Sequence, residues 1–151
     1  MATVASKCHI EAPPEVVFRV LADPKVFAQA IAGVTTVEFL SPVTSGVGTR
    51  YRQTRAMNGK SYTMDFEITE FVPPQRVRIV NETHGTVWDA VFTLVPAGPG
   101  TDLVGRMDTR SKPLLAKIMM PLVCLMIRGA VQKDLDAVKA YCERSGTAAR
   151  T

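Results

Sequence analysis

Apolar and polar residues alternate with a period of two along much of the chain, and this pattern predicts β-strands. Residues 3–10 follow the alternation and predict a first strand. Further strands are expected near residues 34–41, 48–57, 60–72, 75–83, 86–96 and 101–110. Asn58-Gly59 predicts a two-residue hairpin turn, and His84-Gly85 gives a weaker signal of the same kind, because both turn positions favour positive φ.

Helical spacing of apolar residues appears in three places. Residues 15–22 follow Pro14, which is tolerated in the first turn of a helix. Asp23 is placed to cap a second short helix that runs from Pro24 to Ile31. Residues 113–143 are interpreted as one long helix of about 45 Å, with a kink at Pro121.

The resulting order is one strand, two short helices, six strands and one long helix. This order predicts an α+β fold with a seven-stranded antiparallel sheet, whose apolar face needs cover from another layer. The last helix is the element long enough to provide it. With 151 residues, we expect a single domain over residues 1–144 and a flexible tail over residues 145–151.

Composition narrows the class of protein. Apolar residues make up 46% and charged residues 21% of the chain, as in ordinary globular proteins. The net charge of +4 is spread along the sequence without a basic stripe or a recognition motif, so we expect no nucleic-acid partner. Charged residues and Pro121 interrupt the apolar stretch over residues 113–131, so we expect no transmembrane segment.

The cysteines indicate neither a disulfide framework nor a metal site. Cys8, Cys124 and Cys142 are odd in number and lack the spacing of metal ligands. We therefore expect reduced thiols, no metal and no organic cofactor. No apolar run follows a basic patch in residues 1–10, so we expect no signal peptide and a cytoplasmic location.

Several segments together resemble a known superfamily. They are IEAPPEVVF from Ile10 to Phe18, LADP from Leu21 to Pro24, GVGT from Gly46 to Thr49, and EFVPPQRV from Glu70 to Val77. In this order they resemble the START-like or SRPBCC superfamily, which includes polyketide cyclase/dehydrase-like proteins and lipid-transfer domains. The resemblance implies the helix-grip fold, in which a curved seven-stranded sheet wraps around the C-terminal helix beside a ligand cavity. It implies no shared catalytic residue.

The Asn58-Gly59 turn also predicts which residues face each other in the first hairpin. Counting back from it pairs Arg50 with Glu67 and Arg52 with Asp65 on one face. Opposite charges in register support this pairing. The carboxylates of Asp65 and Glu67 are therefore interpreted as outward ion-pair partners rather than as a catalytic acid and base.

The opposite face of the sheet carries the candidate ligand site. Its polar end, near the two hairpin turns, is predicted to hold Arg55, Tyr62, Asn81, Trp88 and Thr109. Its deeper, apolar part is predicted to include Tyr51, Phe66, Phe92 and Met107. The last helix is predicted to contribute an apolar stripe at spacings of three and four residues: Leu115, Met119, Leu122, Met126 and Ala130.

An inward arginine needs a partner, because an unpaired buried charge is costly. For Arg55 the alternatives are Tyr62, a helix carboxylate, water at an open rim, or an anionic or carbonyl group of a ligand. We hypothesise that Arg55 anchors the polar head of the ligand. His9 and His84 show no recognisable catalytic pattern and are interpreted as solvated histidines.

Three functions follow from these expectations. The first is binding of a hydrophobic or amphipathic small molecule, such as a lipid, isoprenoid or polyketide-like compound. The second is a polyketide cyclase or dehydratase-type enzyme, in which Arg55, Tyr62 and Asn81 polarise a carbonyl. The third is an interaction module, in which the apolar start of the last helix forms a homodimer or contacts a membrane surface.

Overall fold

The computed structural model describes residues 2–57, 59–83, 86–111, 125 and 128–144 of the chain. Its elements are β1 (Ala2–Ile10), α1 (Pro14–Ala22), α2 (Pro24–Ala30), β2 (Val34–Phe39), β3 (Arg50–Met57), β4 (Lys60–Val72), β5 (Arg76–Thr83), β6 (Thr86–Ala97) and β7 (Gly100–Ser111). A C-terminal helix, α3, follows over residues 128–144. The predicted strands and short helices are confirmed, with ends displaced by one or two residues. The predicted start of the last helix and the kink at Pro121 lie outside the described residues.

The seven strands form one curved antiparallel sheet in the order β1-β7-β6-β5-β4-β3-β2. The hairpin register predicted from Asn58-Gly59 is confirmed, since Tyr51 pairs with Phe66 and Arg55 with Tyr62. The register of the β5–β6 hairpin is confirmed as well, because Asn81 pairs with Trp88. The α+β helix-grip architecture is therefore present, with α3 packed against the inner face of the sheet.

The two short helices begin as their sequences indicate. Pro14 occupies the first turn of α1, where its missing N–H leaves no intrahelical hydrogen bond unmade. The side chain of Asp23 accepts hydrogen bonds from the backbone N–H groups of Lys25 and Val26, at 3.0 and 3.4 Å. This cap fixes the start of α2 and the sharp turn between the two helices.

The core lies between the inner face of the sheet and the three helices. α3 contributes Val131, Leu135, Val138 and Cys142, spaced four, three and four residues apart. The predicted stripe is wrong at Ala130, which is exposed. Val131 lies next to it and faces the sheet instead, because burying Val131 together with Leu135, Val138 and Cys142 removes more apolar area from water than burying Ala130 would.

Within the described residues, no helix combines the length and apolar character needed to cross a bilayer.

Candidate functional site

A small apolar cavity lies between the inner face of the sheet and α3. Its volume is about 50 Å³, and its walls include Leu21, Phe27, Ala90, Phe92, Met107 and Leu135. Gly105 also borders it: a Cβ at this position would lie 3.3 Å from the ring of Phe92 and 3.5 Å from Leu135. The missing side chain lets α3 approach the sheet closely at this point.

Arg55 and Asp134 form an ion pair at the edge of this cavity. Nη2 of Arg55 donates to Oδ1 of Asp134 at 2.8 Å, and Nη1 donates to Oδ2 at 3.2 Å. Their side chains are 18% and 27% exposed, so solvent screens the pair only partly. Asp134 also lines the cavity wall. Of the alternative partners expected for Arg55, the one present in the structure is a carboxylate of the helix, Asp134.

One donor of this arginine remains unused. Nε of Arg55 is buried and has no hydrogen-bond partner among the described residues. A buried N–H without an acceptor loses the hydrogen bond that it makes to water in the unfolded chain. Asp134 therefore borders the cavity with its remaining lone pairs, and the arginine that it binds holds one buried donor without an acceptor among the described residues.

The other predicted polar residues lie at differing depths. Asn81 and Thr109 are buried, Trp88 is half-buried, and Tyr62 is 43% exposed. Asn81 pairs with Trp88, which in turn pairs with Thr109. These three residues are thus neighbours on adjacent strands. Nδ2 of Asn81 donates to the backbone oxygen of Asp65 at 2.6 Å, so this amide helps to hold β5 against β4.

Two of the predicted apolar residues border the cavity and two form a separate layer. Phe92 and Met107 are part of the cavity wall. Tyr51 and Phe66 stack on each other with ring centroids 5.3 Å apart. Burial raises the pKa of the Tyr51 phenol, so this group stays neutral. The predicted helix residues Leu115, Met119 and Leu122 lie outside the described residues.

The outer face carries the predicted ion pairs. Arg52 binds Asp65 through two hydrogen bonds of 2.8 and 3.2 Å, and Nε of Arg50 lies 3.6 Å from Oε1 of Glu67. Both predicted pairs are confirmed. Since these carboxylates point away from the cavity, they contribute to the surface of the sheet and not to a catalytic pair.

The interpretation of His9 as a plain solvated histidine is incomplete. Its Nδ1 lies 2.7 Å from Asp102, and its Nε2 lies 2.6 Å from Glu11. The sequence could not show the contact with Asp102, because β1 and β7 are joined only in the folded sheet. The hydrogen bond to Asp102 makes the largest contribution to raising the pKa of His9, and the hydrogen bond to Glu11 raises it further. His84 lies outside the described residues.

Among the carboxylates, histidine and cysteines that the structure describes, no group of three or more has the geometry to hold a metal ion. The His9 cluster illustrates the reason: its two carboxylates bind opposite nitrogens of the imidazole ring, so they diverge instead of converging on one point. The absence of a metal and of an organic cofactor remains a prediction. Elemental analysis of the purified protein would check the first, and mass spectrometry of its small-molecule extract would check the second.

Sequence reasoning missed Asp134 as a residue of the site. The spacing in the sequence could have indicated it, because Asp134 lies three residues after Val131 and four before Val138, and both valines are on the buried side of α3. A carboxylate in an apolar stripe needs a cationic partner from the facing element. The inward-facing Arg55 of β3 is that partner.

Known structures share this architecture. The protein TTHA0849 from Thermus thermophilus superposes with a TM-score of 0.78 at 21% identity, covering 95% of this chain and 99% of that one. A START superfamily protein from Mycobacterium smegmatis gives a TM-score of 0.76 at 16% identity, over 94% and 97% of the chains. The di-domain ARO/CYC protein BexL from the BE-7585A biosynthetic pathway gives 0.76 at 17% identity, over 96% of this chain and 50% of BexL. At these identities the similarity establishes the fold.

A family model matches the sequence itself. It is described as polyketide cyclase / dehydrase and lipid transport, and it covers residues 1–143. No curated protein matches the chain.

Proposed function

Because the chain belongs to the polyketide cyclase / dehydrase and lipid transport family, we propose that it binds a hydrophobic or amphipathic small molecule between its sheet and α3. Lipids, isoprenoids and polyketide-like compounds are the ligand classes that fit this proposal. The observation that carries it is the apolar cavity bounded by Phe27, Phe92, Met107 and Leu135. Natural ligand sites are mostly apolar and carry a few placed polar groups.

The size of the cavity adds a condition to this proposal. Its volume is about 50 Å³, whereas pockets for drug-sized ligands measure about 300–1,000 Å³. A lipid-sized ligand therefore has to widen the space by displacing side chains or part of the helical wall. The predicted methionine-containing stripe before α3 suits such a change, since methionine side chains adapt to irregular surfaces.

We rank an enzyme of the polyketide cyclase type second. The inner-face groups proposed for polarising a carbonyl already have partners, since Arg55 binds Asp134 and Asn81 binds the backbone of β4. The ARO/CYC neighbour BexL shares the fold with this chain at 17% identity, and the likeness extends no further than the fold. Tyr62 is largely exposed and would need a ligand at the rim in order to take part.

An interaction module through the start of the last helix is the third candidate. Leu125 is 68% exposed, and the other residues of that region lie outside those described.

We propose residues 1–144 as the folded unit, in agreement with the family match over residues 1–143. We also propose a cytoplasmic location, which suits the unpaired thiols of Cys8 and Cys142.

Displacement of a fluorescent apolar probe tests the binding function. N-phenyl-1-naphthylamine should become fluorescent on mixing with the protein, and extracted lipids identified by mass spectrometry should displace it. Ala90 lines the cavity, so Ala90→Leu should weaken probe uptake by filling the space. The matched control is Ala56→Leu, because Ala56 is exposed. Equal uptake by both variants would place the probe elsewhere and contradict the proposal.

A further inference from the structure

We propose that the Arg55–Asp134 pair makes the cavity select ligands with a neutral hydroxyl group over ligands with a carboxylate. This inference rests on the proposed binding function and names its ligand class. It starts from the position of Asp134, which binds Arg55 with both oxygens and also lines the cavity. An arginine facing the cavity alone would favour an anion, but here its charge is already matched.

The hydrogen-bonding capacity of the pair suits a hydroxyl group. An ionised carboxylate only accepts hydrogen bonds, and it offers about four lone-pair sites. Arg55 occupies two of those of Asp134. Nε of Arg55 remains a buried donor without a partner among the described residues. A hydroxyl group can donate its proton to a remaining lone pair of Asp134, the member of the pair that lines the cavity.

A ligand carboxylate fits the same place poorly. It has no proton to give to Asp134, and it brings a second negative charge next to one guanidinium. Both side chains of the pair are largely withdrawn from solvent, so the repulsion between two carboxylates is screened less than it would be in water. Phe92 and Leu135 make the neighbouring wall apolar. Arg106 also lines the cavity, but its side chain is 55% exposed and its Nε lies 3.4 Å from Asp108, so its charge is screened by solvent and already has a partner.

The test compares two probes that differ only in the head group. Dodecan-1-ol and dodecanoate displace N-phenyl-1-naphthylamine from the full chain at a pH where the acid is ionised. The alcohol should bind about tenfold more tightly, the scale of one hydrogen bond to a charged group. In Asp134→Asn the repulsion disappears, and this preference should shrink several-fold.

Asp65→Asn is the matched control. Asp65 also binds an arginine through two oxygens, but on the outer face, so the preference for the alcohol should equal that of the parent protein. If Asp134→Asn fails to fold, the double variant Arg55→Met/Asp134→Leu replaces the pair by apolar groups, a change that proteins often tolerate. It should bind the two probes without the parent's preference.

Two outcomes overturn the inference alone. Dodecanoate binding as tightly as the alcohol, or more tightly, would make Arg55 an anion anchor. A preference unchanged in both Asp134 variants would show that the pair only ties α3 to the sheet. If the parent protein takes up neither the naphthylamine nor the alcohol, the binding function itself fails and the inference with it.

Discussion

Asp89 and Asp108 face each other directly across β6 and β7, although both are carboxylates. The Asp89 side chain is only 6% exposed, and it binds Arg78 through both oxygens and lies 3.7 Å from Nη2 of Arg110. Thr3 donates to Asp108 at 2.6 Å, and this hydrogen bond lowers the pKa of Asp108. The surrounding donors therefore compensate a like-charge pair that would otherwise destabilise the sheet.

Asp89→Asn should destabilise the fold more than Asp65→Asn does. Asp89 is buried, whereas the Asp65 side chain is 47% exposed. We expect a loss of about 1.5–3 kcal/mol in the free energy of unfolding for Asp89→Asn, the range for hydrogen bonds to charged groups. For Asp65→Asn we expect no more than about 1 kcal/mol, as for exposed ion pairs. Urea unfolding of both variants measures the difference, and equal losses would contradict the role assigned to burial.

Protonation of His9 should stabilise the fold. Both ring nitrogens lie within hydrogen-bond distance of a carboxylate oxygen, so both must donate, which requires the imidazolium form. The raised pKa of His9 means that the folded state binds this proton more tightly than the unfolded chain. The added stability is complete below the ordinary pKa of histidine, about 6.5, and is lost as the pH rises through the folded value.

Thermal unfolding of the parent protein and His9→Asn between pH 5 and pH 9 tests this linkage. The parent should be the more stable at pH 5, and the gap should narrow toward pH 9. The neighbouring Lys139 and Glu143, which bind the backbone of His9 and Glu11 respectively, stay charged over most of this range. A gap that is constant with pH would show that His9 contributes through packing and not through its charge.

Trp88 should report occupancy of the site. It is half-buried on the inner face, next to Asn81 and Thr109 in the sheet. A ligand that displaces water there should shift the emission to shorter wavelength or quench it. Because the chain has a single tryptophan, the signal has one source. An emission spectrum typical of full solvent exposure, with free quenching by iodide, would contradict the inward position.

The thiol of Cys142 should be inert while the protein is folded. Burial raises the pKa of this thiol to about 12, so almost no thiolate forms at pH 8. In a Cys8→Ser/Cys124→Ser variant, Ellman's reagent should react with Cys142 only after urea is added. Rapid reaction in the absence of urea would mean that α3 separates from the sheet readily.

The sequence by itself determined the register of the β3–β4 and β5–β6 hairpins and the two faces of these strands. Asn58-Gly59 leads to the pairing of Tyr51 with Phe66 and of Arg52 with Asp65, and the structure has both. This succeeds because a two-residue turn sets which residues are opposite, and side chains then alternate with a period of two. The cap at Asp23 is equally local, since its partners are two and three residues away.

Only the tertiary structure decided which groups meet across elements. Arg55 and Asp134 are 79 residues apart, and their contact depends on how α3 is rotated about its own axis. The whole apolar face of the helix sets that rotation, which is why Val131 turned inward and Ala130 outward. The burial of Asp89 and the cavity volume likewise result from the packing of many side chains, whereas turn geometry and alternation act only between residues close in the chain or paired in the sheet.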